Sequence, residues 1–116
     1  YDPNRVHFSI HTSAYNHTRG TQKSTNKVIP DATDVFHIYR LDWTPYAVRG
    51  FIDGTQFFEF VNANTGFTTY PFNKKFFMIL NIAVGGNWGG AQGVDDTVFP
   101  ATMLIDYVKV YKMIPQ

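Results

Sequence analysis

The sequence predicts an all-β fold of antiparallel strands, and three observations carry that expectation. Aromatic residues make up 17% of the 116 residues, with 11 Phe, 7 Tyr and 2 Trp. Such side chains favour pleated, half-buried surfaces. Apolar residues recur mostly with a period of two, and no segment shows a helical stripe. Asp53-Gly54 stands between apolar flanks, and this pair readily takes the two positive-φ positions of a tight hairpin. Strands joined by hairpins and loops pack as an antiparallel sandwich.

In "RVHFSIHTS", Val6, Phe8 and Ile10 alternate with His7, Ser9 and His11, which predicts a strand with one polar face. Residues 14–34 are rich in Thr, Asn, Lys and Gly and read as a long loop, a length often kept for function. "VFHIYRLDW" is the next strand, ended by Thr44-Pro45, and "AVRGFIDGTQFFEF" is the hairpin. Residues 61–75 form a polar connection containing Pro71. Residues 76–84 are apolar on both faces except for Asn81, as in a central strand covered on both sides. In the last strand, "TMLIDYVKVYKM", the alternation breaks around Asp106, which points to a bulge or a twist. Six strands barely supply two layers, so a strand as apolar as 76–84 implies a small sandwich or one that lacks part of its cover.

Charge excludes more than it suggests. Ten basic and nine acidic residues leave a net charge of +1, with no basic stripe, so nucleic acid is a poor partner. There is no cysteine, hence no disulfide framework and no thiolate chemistry. No stretch approaches a membrane span, and no signal-peptide pattern stands at Tyr1. No membrane partner is expected.

Sugar hydrolysis usually needs two carboxylates, roughly 5 Å apart when configuration is retained. Glu59 is the one glutamate, and no two aspartates share a strand face at i and i+2 or i+4, so the residues alone offer no acid/base pair. His7, His11 and His17 resemble a metal cluster, but a polar strand face lining a groove explains them more simply. His37 reads as structural. "GGNWGGAQG" lacks the Lys-Ser/Thr of a phosphate loop and a following helix. Its glycines let the chain bend sharply after the apolar run. Trp88 is then either held outward, where its face could stack on a sugar ring, or folded back into the core. Asn81, an amide in an apolar strand, is either a satisfied core residue or a groove residue that binds a hydroxyl. Its place just before Asn87 and Trp88 favours the groove. Asp106 lies on an outer face or ligates a hard cation such as calcium. Asn16-His17-Thr18 has the form of a glycosylation sequon, which is common by chance.

Four segments in register, "HTSAYNH" (11–17), "LDWTP…FIDG" (41–54), "FFMILNIAVGGNWGG" (76–90) and "FPATMLIDYVKVYK" (99–112), resemble the C-terminal half of the laminarinases. These are endo-β-1,3-glucanases of glycoside hydrolase family 16. The resemblance implies half of a concanavalin-like β-jelly roll, two curved antiparallel sheets with a glucan cleft, completed by an N-terminal half absent from residues 1–116. It implies a retaining hydrolase whose catalytic residues are two glutamates in a Glu-x-Asp-x-x-Glu motif, expected just upstream of Tyr1. No catalytic residue is therefore expected within this chain, and the chain alone should be inactive.

By the same resemblance, His11 faces the cleft near those glutamates, Asn81, Asn87 and Trp88 line sugar subsites, and Asp106 helps hold a structural calcium. His7 and Gln22 are weaker candidates for cleft contacts. Phe8 stands where relatives often have Gly, on the core-facing side, and little is expected to follow from it. No cofactor is implied for catalysis. The implied partners are β-1,3-glucan and the N-terminal half of the same enzyme, as a second chain or segment. The family implies secretion. Two other functions compete: a non-catalytic β-glucan-binding protein on the same scaffold, and an independent lectin-like sandwich.

Overall fold

Alternation in "RVHFSI" produces strand β1 (Arg5–Ile10), the first element of a computed structural model that describes residues 2–114. The chain forms two compact units, Asp2–Met78 and the residues from Ile79 onward. In the first unit β1 pairs antiparallel with β2 (Lys23–Val28) from Arg5↔Val28 to Ile10↔Lys23. A second sheet has the order β3 (Tyr39–Trp43), β4 (Ala47–Ile52), β5 (Thr55–Val61), with antiparallel neighbours.

The hairpin forms as the sequence predicts. Asp53 at φ 48° and Gly54 at φ 81° turn β4 into β5. Strand β1 also behaves as predicted. Its apolar side faces the second sheet: Phe8 stacks on Phe58 with ring centroids 4.6 Å apart and meets Phe57 edge-on at 5.7 Å. Ile10, Val48, Phe58 and Tyr70 are buried together, with Phe8, Phe60 and Phe72 packed around them. Tyr70 donates its hydroxyl to the carbonyl of Thr44 at 2.8 Å, which satisfies a buried phenol.

Phe8 matters more than expected. The ladder shifts register between Gly50 and Phe51, and Gly50 is buried directly beneath the Phe8 ring. A Cβ at Gly50 would lie 2.5 Å from Phe8 Cδ2 and closer still to Cε2. The ring therefore occupies the space that a side chain at position 50 would need.

Other expectations are corrected. Residues 14–34 are not one loop, because Lys23–Val28 is a strand. Its sequence, KSTNKV, lacks an apolar face, and pairing with β1 supplies what its side chains do not. The strand expected at 35–43 begins only at Tyr39. The turn before it is tied to the hairpin instead: Ile38 N–H donates to Asp53 Oδ1 at 2.9 Å, and Asp53 N–H donates to the Ile38 carbonyl at 3.0 Å.

Neither 76–84, which runs from the end of the first unit into the second, nor 102–113 is a strand among the described residues. Their apolar side chains are exposed, with Phe77 at 85% and Val110 at 84%. A strand exists only where a neighbour completes its hydrogen bonds, and among the described residues no ladder partner reaches these segments. With no strand around Asp106 among the described residues, the bulge or twist expected there has no ladder to interrupt. A single unpredicted helical turn, α1 (Gly86–Gly89), follows Gly85, and a 3-10 turn spans Asp96–Val98.

Candidate functional site

The pleat of β1 separates its two sides. Phe8 and Ile10 pack inward, so His7 and Ser9 emerge on the opposite face, beside Asn26 and Ser24 of β2. Arg5 is fixed at one end of this polar face. Its Nε donates to Asp2 Oδ2 at 2.7 Å and its Nη1 to Asn26 Oδ1 at 2.8 Å. At the other end, exposed His11 follows β1, and its ring meets that of His17 at 5.4 Å between centroids. The polar face inferred from "HFSIH" is therefore present, and the structure brings His11 and His17 together. The contributions of Ser24 and Asn26 were missed with β2. Residues 23–28, KSTNKV, carry no apolar alternation that could have signalled them.

Gln22 begins a shallow groove of about 420 Å³ between β2 and β5, lined also by Ser24, Thr25, Phe57 and Glu59. Its Oε1 is buried without a hydrogen-bond partner among the described residues. Glu59 is committed elsewhere: Arg49 Nε donates to its Oε2 at 2.5 Å. The one glutamate of the chain thus serves an ion pair across β4 and β5.

The other candidates lie in the second unit. Asn87 and Trp88 occupy α1, and the glycines at its start have positive φ, Gly85 before it at 70° and Gly86 as its first residue at 77°. Such values favour residues without a Cβ. Gly90 closes the turn by donating its N–H to the Gly86 carbonyl at 2.9 Å, and a Cβ at Gly90 would lie 2.7 Å from that oxygen. Trp88 is 59% exposed. Asn81, placed by the sequence in an apolar strand and favoured as a groove residue, is exposed. Asp106 is exposed as well. Among the described residues no three His, Cys, Asp or Glu come together to hold a metal ion. Asp106 would supply one carboxylate, and a calcium there would draw its other ligands from carbonyl oxygens or water.

His37 belongs to a separate cluster. Its Nδ1 lies 2.7 Å from Asp53 Oδ2 and its Nε2 3.2 Å from Asp31 Oδ1, the latter outside hydrogen-bond geometry. The hydrogen bond to Asp53 holds the imidazole above its ordinary pKa of 6.5, against burial, and the charges of Asp53 and Asp31 add to this. The same bond, with the Ile38 N–H, holds Asp53 below 3.8. A raised His stabilises below its unfolded pKa and loses that effect as pH rises through its folded value. A lowered Asp stabilises above its unfolded pKa and loses that effect as pH falls through its folded value. The cluster is therefore most stabilising between about pH 4 and 6.5. The melting-temperature gap between the parent and His37→Gln should be widest near pH 5–6 and narrow above neutrality. A constant gap in thermal melts across pH 5–9 would contradict this.

Comparison with known proteins supplies the family. A model for glycosyl hydrolases family 16 matches residues 1–109. A beta-glucanase of Rhodothermus marinus is 42% identical over 98% of this chain and 42% of its own length. The solved laminarinase of Rhodothermus marinus aligns with a TM-score of 0.80 and 43% identity, covering 84% of this chain and 41% of that one. The laminarinase of Flavobacterium sp. UMI-01 aligns with a TM-score of 0.76 and 33% identity, covering 84% and 41%. The likeness bears out the all-β, jelly-roll expectation for the part of the fold that this chain covers. The chain spans about two-fifths of the length of these relatives. With its sequence matched almost end to end by the family model, and with antiparallel sheets that superpose on solved laminarinases, the chain belongs to glycosyl hydrolase family 16.

Proposed function

We propose that the chain is part of a retaining endo-glycosidase that hydrolyses internal β-1,3-glucosidic bonds of laminarin-type glucans. The observation that carries this reading is the 42% identity to a beta-glucanase across almost the whole chain. In this reading two glutamates, contributed by polypeptide outside residues 1–116, perform the chemistry roughly 5 Å apart. One protonates the leaving oxygen. The other forms the glycosyl intermediate, which water then resolves. The chain supplies cleft-lining groups: His11 toward the glutamates, Asn81 and Asn87 for sugar hydroxyls, and Trp88 for stacking on a glucose ring. The apolar side chains exposed along 76–84 and 102–113 support a second layer from the same outside segment. In the same reading the enzyme is secreted, an inference that rests on the family alone.

The test is reducing-sugar release from laminarin by the full-length protein, with the anomer of the first product followed by proton NMR. Rapid appearance of the β-anomer with internal cleavage supports the proposal, and the α-anomer overturns retention. Laminarin binding without cleavage would favour the recognition-protein alternative. In the active protein, Trp88→Ala should lower kcat/KM about tenfold, or about 1.4 kcal/mol, the size of one aromatic stacking contact. Unchanged kinetics would remove Trp88 from the cleft.

A further inference from the structure

The loop that leaves β1 is bonded internally more heavily than a simple connection requires. Thr12 N–H donates to the Tyr15 carbonyl at 2.6 Å, and Tyr15 N–H donates back to Thr12 Oγ1 at 3.0 Å. Both ends of the Asn16 amide are used. Its Nδ2 donates to the carbonyls of Thr12 and Ser13, at 3.2 and 3.1 Å. Its Oδ1 accepts from Thr18 Oγ1 at 2.6 Å and from Arg19 N–H at 3.2 Å. Thr21 Oγ1 donates to the Ala14 carbonyl at 2.9 Å and accepts the Asn16 N–H at 3.1 Å. Ala14 N–H donates to the Thr68 carbonyl at 2.9 Å, anchoring the loop to the turn before buried Tyr70. The 3-10 turn His17–Arg19 starts from this frame and ends at Gly20, φ 65°.

The frame fixes the backbone at His17, whose ring meets that of His11 at 73° with centroids 5.4 Å apart. We infer that His17 is a positioning residue, held by the Asn16-centred loop so that its imidazole restricts rotation of the His11 ring on the face offered to glucan. This rests on the reading of His11 as a cleft residue. An imidazole can engage a sugar hydroxyl through one nitrogen only if its plane is set, and the second side-chain torsion of His is intrinsically broad. Exposed His11 lacks the packing that usually narrows it. A T-shaped ring neighbour supplies such a restraint. A His on a merely solvated turn would need neither the frame nor the ring contact. None of the hydrogen bonds above uses the His17 side chain, so truncating it leaves the loop's own bonding in place.

The test uses the full-length protein, with a β-1,3-linked glucose tetramer as calorimetric ligand and laminarin as substrate. His17→Ala should weaken tetramer binding and kcat/KM about tenfold, as misplacement of a positioned group does. His17→Phe, which keeps a ring edge against His11, should stay within about twofold of the parent. In a His11→Ala background, His17→Ala should cost nothing further. Equal losses for His17→Phe and His17→Ala would mean that His17 contacts glucan directly, and would overturn the inference. So would a full additional loss in the His11→Ala background. If His11→Ala alone leaves binding unchanged, the cleft assignment of His11 fails and the inference fails with it. Imidazole NMR of the ligand-free protein separates the two failures. A shift of the His11 ring protons in His17→Ala shows that the contact exists even if glucan is bound elsewhere, and no shift refutes the contact itself.

Discussion

Phe58→Ala should destabilise the protein by about 3 kcal/mol, measured as the free energy of unfolding in urea. Phe58 is buried between the two sheets of the first unit, at 7% exposure, with the Phe8 ring stacked on it. Truncation removes the transfer energy of a ring and leaves a cavity, a loss of about 3–5 kcal/mol for buried Phe. The low end applies because Phe58 also lines the groove between β2 and β5, where neighbours have room to collapse. A loss below about 1 kcal/mol would mean that Phe58 is not central to the core.

Gly50→Ala should cost about 1–3 kcal/mol, the range for a methyl forced into filled space. The obstacle is the Phe8 ring, which cannot simply turn aside because Phe58 holds its face and Phe57 its edge. The prediction is sharpened by a double-mutant cycle. Once Phe8→Ala has emptied the space, Gly50→Ala should become neutral or slightly stabilising, since Ala orders a strand with less entropic loss than Gly. Equal costs in both backgrounds would place the strain in the backbone instead. The cycle also tests whether Phe8 and Gly50 act as a matched pair, which their positions in the chain, 42 residues apart, do not reveal.

The parts of the fold legible in the sequence are those whose cause is local. Asp53-Gly54 forms the hairpin because those two residues accept the left-handed backbone that the turn requires. "HFSIH" has two faces because side chains of a strand alternate, and the structure retains both the apolar and the polar one. β2 was illegible for the opposite reason. KSTNKV has no apolar stripe, and only the exposed hydrogen-bonding edge of β1 makes it a strand. His37 reads as structural from its spacing, but its partners Asp31 and Asp53 come from two different turns.

The candidate site divides in the same way. "GGNWGG" announces a sharp bend that carries Asn87 and Trp88, because glycine alone takes such values readily, and the bend is there. The contact between His11 and His17 needs the hydrogen-bonded loop between them, and no spacing rule predicts it.

The sequence by itself determined the β character, the hairpin, the two faces of β1 and the family motifs, since each follows from backbone preference or alternation within a few residues. Only the tertiary structure decided that a polar segment becomes a strand, that Phe8 fills the space over Gly50, and that the apolar runs 76–84 and 102–113 stay unpaired among the described residues. The physical reason is that a β-ladder and a packed ring are properties of two segments at once, and neither segment carries the other's identity.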